Sequence, residues 1–207
     1  MNDTAAPSHP RRDLLAFDRA DRWALGVMLA IVVVLTAVAN VVLPVVRWVG
    51  GDGIPLPFLS EVTVPKLDAV GTRYGAADYV VTLAEPSPAQ RLLDLVPGVL
   101  VVLMVATGCW LVVVVMRTIA AGDPFAAANV RRLRLVAGLL VIGPFVLFVV
   151  ALPIHGVLLN QVDLGGLDPS LRLDVPWAPV VAGFVVALLA EAFKVGSRLR
   201  DDVDGLV

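Results

Sequence analysis

Charge is the scarcest commodity in this chain. Of 207 residues only 16% are charged while 58% are hydrophobic, against the roughly one-quarter charged mix of a soluble domain. A water-soluble monomer is therefore not expected. Cysteine is reduced to Cys109, so no intramolecular disulfide can form and no thiol relay can operate. Histidine is almost as rare. With His9 in the polar N-terminal segment and His155 as the other one, a bis-histidine haem cannot be held between membrane helices. No pair of carboxylates, serine–histidine–acid set, metal-ligand spacing or glycine-rich phosphate loop appears, so no catalytic, cofactor or metal site is expected and the chain reads as a non-enzyme. Arginine outnumbers lysine 14 to 2 and valine outnumbers isoleucine 40 to 5. That skew fits GC-rich coding and suggests a GC-rich bacterium.

What the chain does have is long apolar runs. Residues 23–46 contain no charge, and about 20 such residues cross a bilayer core of roughly 30 Å. Further runs cover 95–116, 135–160 and a weaker 176–196, the last of which must carry Glu191 to the membrane edge. The expected fold is an all-α integral membrane protein of the plasma membrane: a single four-transmembrane-helix bundle, 1–207, with a homo-oligomer possible. Arg11 and Arg12 before an apolar stretch also imitate a signal peptide. The run continues well past the cleavage-like Ala37-Val38-Ala39, so an uncleaved first helix is the expectation. Residues 13–22 alternate apolar and charged positions, which suits either a short interfacial helix or a simple helical extension. Residues 1–10 read as disordered.

Basic residues set the expected orientation. Eleven lie in the N-terminal segment, the 117–134 connection and the C-terminus; five lie in the connections 47–91 and 163–174. Both termini, the 117–134 loop and the 197–207 tail should then be cytoplasmic. Outside, Glu61 to Val64, Tyr79 to Leu83 and Leu171 to Val175 carry strand signals. They are expected to pair into a small extracytoplasmic β cap, which is either a structural lid or a ligand-binding surface.

Polar groups inside lipid are costly unless paired, which singles out Asn40, Thr107, His155 and Glu191. Asn40 and Thr107 read mainly as hydrogen-bonding glue and His155 as structural, with a proton-linked role as its rival. Gly183, Ala187 and Glu191 share one helix face. Small residues there admit a neighbouring helix, and Glu191 should meet a basic group such as Lys194 or an arginine of the 131–134 cluster. Asp94 beside Pro97-Gly98 is expected to cap the second span. Pro44 and Gly143-Pro144 should kink or stop their helices.

The 117–134 connection contains Gly122-Asp123-Pro124-Phe125, in which Gly122 ends one helix, Asp123 caps the next and Pro124 takes its first position. Asn129, Arg132 and Leu133 follow. Together with Phe193, Gly196, Leu199 and the ending Gly205-Leu206-Val207, this segment resembles the bacterial membrane-protein family known as domain of unknown function 2975. Members often end in a Leu-Thr-Val type sequence, from which Gly205-Leu206-Val207 departs. The resemblance implies no catalytic activity and a membrane component of a regulatory pair, since members are often encoded beside a small helix-turn-helix transcription regulator. On that basis Asp123, Pro124, Phe125, Asn129, Arg132, Phe193, Gly196, Leu199, Leu206 and Val207 are the candidate docking residues for such a partner, without direct nucleic-acid binding by this chain. A solvated tail with no partner, a small transporter or lipid-binding protein, and a purely structural bundle are the competing readings.

Overall fold

A computed structural model describes residues 19–60, 77–170 and 176–204. The chain enters through α1 (Arg19–Ala37), passes through one π turn (Val38–Val42) and continues as α2 (Leu43–Val49). A hairpin of β1 (Ile54–Ser60) and β2 (Ala77–Leu83) follows, then three long helices: α3 (Pro88–Ala120), α4 (Ala127–Leu159) and α5 (Trp177–Asp204). Four segments, Arg19–Val49, Pro88–Ala120, Ala127–Leu159 and Trp177–Leu199, are long and apolar enough to cross a membrane. At 1.5 Å per residue α3 and α4 are about 50 Å long, so their ends reach well past an apolar layer of about 30 Å.

The helices pack in chain order: α1 on α3, α3 on α4 and, most extensively, α4 on α5. No contact of similar extent returns from α5 to α1 among the described residues. The arrangement is an open row, a looser form than the expected bundle. The tight α4–α5 contact has a cause in sequence. A Cβ placed on Gly183 would lie 2.6 Å from Val141 and 3.0 Å from the Ala137 carbonyl oxygen, so only glycine permits this approach. α1 buries no residue at all, and Trp23, Ile31, Val34 and Leu35 are more than half exposed on it. Apolar surface on this scale calls for cover by lipid or protein.

Helix ends follow local chemistry. Ser87 and Gln90 form a capping box around the start of α3, with Pro88 behind it, so the helix begins two turns before Asp94. Asp94 is thus not the cap that the sequence suggested; the better Ser-x-x-Gln signal lies upstream of it. At the far end Gly122 adopts φ +88°. Its N–H donates to the Ile119 carbonyl at 3.0 Å and that of Asp123 to Thr118 at 3.3 Å, a Schellman closure. α3 runs on through Pro97, and α4 through Pro144 and Pro153, so none of these prolines stops its helix. Pro44 behaves differently. It cannot donate to Asn40, its i−4 partner, and the ladder there widens into the π turn.

The hairpin is antiparallel, with Ile54 opposite Leu83 and Phe58 opposite Tyr79. β1 alternates in and out: Ile54, Leu56 and Phe58 point inward and pack with Leu158 and Leu159 at the end of α4. Pro55 and Pro57 hid this strand from sequence reading, yet they are harmless where they stand. Leu59, on the same edge of the strand, accepts the N–H of Ser170 at 2.8 Å, so the proline nitrogens face away from β2 and no ladder bond is lost. β2 contains the expected Tyr79 to Leu83 strand. The strands expected at Glu61 to Val64 and Leu171 to Val175, and residues 1–18, lie outside the described residues. The Leu59–Ser170 bridge ends where the last expected strand would begin.

Candidate functional site at the α3–α4 connection and the end of α5

The loop between α3 and α4 is short, polar at one end and held from inside by one side chain. Asn129 is completely buried. Its Nδ2 donates to the carbonyl oxygens of Pro124 at 3.1 Å and Asp123 at 3.4 Å. Its Oδ1 accepts from Arg132 Nη1 at 3.0 Å, and the same nitrogen reaches Thr118 Oγ1 at 3.1 Å. One asparagine therefore ties the loop, the start of α4 and, through Arg132, the end of α3. This corrects the local expectation for Asp123 and Pro124. α4 starts only at Ala127, with Ala126 as its cap residue, because the loop carbonyls are committed to Asn129 and the chain stays non-helical for three more residues.

That detour brings Phe125 to α5. Its ring lies 5.7 Å from that of Phe193, centroid to centroid and tilted by 51°. Phe125 also covers Gly196 so closely that a Cβ there would sit 2.5 Å from the ring edge. Phe125, Phe193 and Gly196, about 70 residues apart in sequence, thus form one interlock. Beside it Glu191 bridges Arg134 Nη2 and Lys194 Nζ, each at 2.9 Å. Both Glu191 and Arg134 side chains are 53% exposed, so this cluster orients charges at the surface, where water screens their attraction.

Both segments of this interlock fall within a region matched by a family model. The family model described as "Protein of unknown function (DUF2975)" matches residues 74–207, well over half of the chain. The chain belongs to the DUF2975 family. No curated protein and no solved structure matches it. The DUF2975 match takes in β2, α3, α4 and α5 and leaves out α1, α2 and β1, so the interlock lies wholly within the family region.

The remaining candidate residues of this DUF2975 chain fall elsewhere. Leu199 lies on α5 just beyond the interlock and is 62% exposed. Leu206 and Val207 lie outside the described residues, and α5 itself extends to Asp204, so most of the supposed tail continues the helix. Asn40 sits in the π turn and donates to the Thr36 carbonyl of its own helix at 2.9 Å. Its carbonyl, lacking the N–H of Pro44, meets Gly98 of α3 so tightly that a Cβ there would overlap it. His155 lies at the opposite end of the molecule from the interlock. It lines a cleft of about 480 Å³ between the hairpin and α4, with Phe58, Asp78 and Asn160.

Thr118, Gly98 and Arg91 carry structural roles that sequence reading did not assign. Arg91 Nη1 donates to the Trp48 carbonyl at 3.0 Å while its guanidinium lies 5.8 Å from the Trp48 ring, joining α2 to α3. The only advance sign for Gly98 was its place after Pro97. Among the described residues no group of three or more potential metal ligands gathers.

Proposed function

We propose that this protein is a regulatory or sensor component of the plasma membrane, without catalytic activity of its own, whose cytoplasmic face docks a soluble partner of the small helix-turn-helix regulator kind. The carrying observation is the interlock. Asn129, Phe125, Phe193 and Gly196 weld the α3–α4 connection to the end of α5, giving a preorganised surface in place of two loose segments, and preorganisation lowers the entropic cost of docking. Exposed Phe125 and Leu199 supply apolar anchors on it, and exposed Arg131 and the Glu191 cluster supply charge at its rim. Basic residues concentrate at this end, which supports placing it in the cytosol with both termini.

The test uses the full chain in native membranes. Truncation after Gly196, and separately Leu199→Asp, should abolish co-purification of the regulator and change expression of its target genes. If both variants retain capture and expression, docking at this face is wrong. A lipid-binding or transport role is the second reading. It draws on an apolar groove of about 670 Å³ between α3 and α4, lined by Met104, Leu139 and Phe148, and would be favoured by unchanged regulation together with ligand retained in that groove.

A further inference from the structure

α1 and α3 touch at one end and part at the other. At the Asn40–Gly98 crossing, in the π turn that continues α1, the chain approaches α3 so closely that a Cβ on Gly98 would overlap the Asn40 carbonyl. Fourteen residues earlier, about 21 Å along α1, a Cβ on Gly26 would meet nothing within 4 Å. The gap is a cleft of about 600 Å³, open along the side of the molecule. Gly26 and Ala30 on α1 and Val113 on α3 give it apolar walls, and Arg22, Trp23 and Arg117, about one helical turn further toward the ends of α1 and α3, line it as well. Trp23 is 73% exposed, as an aromatic anchor at a membrane–water boundary would be. Neither arginine takes part in an ion pair among the described residues; the pairs formed there engage Arg134 and Lys194.

We propose that this cleft binds one anionic glycerophospholipid, its phosphate held between Arg22 and Arg117 and an acyl chain laid along Gly26, Ala30 and Val113. Two guanidiniums lining an apolar slot, neither in an ion pair among the described residues, complement a ligand that is anionic at one end and hydrocarbon at the other. A free phosphate would leave the slot empty. A second copy of the chain packed through Gly26 and Ala30 would bring four arginines together, and their repulsion disfavours it. The proposal does not depend on partner docking at the interlock.

The full chain, released from nanodiscs of mixed phosphatidylglycerol and phosphatidylcholine, is analysed by native mass spectrometry for retained lipid. The wild type should retain one phosphatidylglycerol with about tenfold preference over phosphatidylcholine, and glycerol phosphate added alone should not be retained. Arg22→Gln/Arg117→Gln should remove the preference. Gly26→Leu, which fills the slot and leaves the charges, should remove the retained lipid, whereas Arg47→Gln/Arg198→Gln should keep both. Equal retention of the two lipids, an unchanged preference in the Arg22/Arg117 variant, or an equal loss in the Arg47/Arg198 control overturns the proposal. Undiminished retention by Gly26→Leu also overturns it, placing the lipid elsewhere, and a lipid-free dimer would assign the slot to a second copy.

Discussion

Asn129 satisfies two loop carbonyls and orients Arg132 from a position with no solvent access. Replacing it with alanine removes the donor it offers those part-buried carbonyls, and the loss of two such bonds costs about 1–3 kcal/mol. Asn129→Ala should therefore lower the unfolding midpoint in detergent, measured by thermal melt. Asn129→Asp should do the same, since a carboxylate cannot donate to the carbonyls. Gly196 makes a sharper case, because it is defined by what it lacks. Gly196→Ala drives a methyl into the Phe125 ring, and such overpacking costs about 1–3 kcal/mol. In the background of Phe125→Ala the methyl finds room, so the second substitution should be nearly neutral there; a double-mutant cycle with additive effects would contradict the interlock.

Elements reveal what was legible in the chain and what was not. The four apolar runs were readable because bilayer thickness imposes a length on them, and the observed helices cover each of them to within one residue at an end. Their ends were less readable. Charged turns beyond the apolar windows keep helical backbone, so α3 starts at Pro88 and α5 runs to Asp204. β1 was concealed because Pro55 and Pro57 count against a strand until one knows which edge they face. The local chemistry of Asp123 and Pro124 suggested a cap and first helical position, but Asn129 and Phe125 overrode it through contacts that sequence spacing does not show. The grouping of the two signature segments was visible only as a family resemblance; their contact across about 70 residues was not. At the α1–α3 crossing the Asn40 carbonyl faces Gly98. Gly98→Ala should push the helices apart and lower thermal stability more than Gly138→Ala, since a Cβ at Gly138 meets nothing within 4 Å. Equal effects would mean that the crossing contributes little.

At the scale of the whole molecule, the interlock and the hairpin sit at opposite ends of long helices. Docking of a soluble regulator requires the interlock end to face the cytosol. Single cysteines in a Cys109→Ala background decide this. Glu85, exposed after β2, and Ala121, exposed before Gly122, are the positions of choice. With a membrane-impermeant maleimide on intact cells, the cysteine at 85 should label at once and the cysteine at 121 only after the membrane is opened. Labelling of position 121 in intact cells, with position 85 protected, would place the interlock outside and contradict the proposed function.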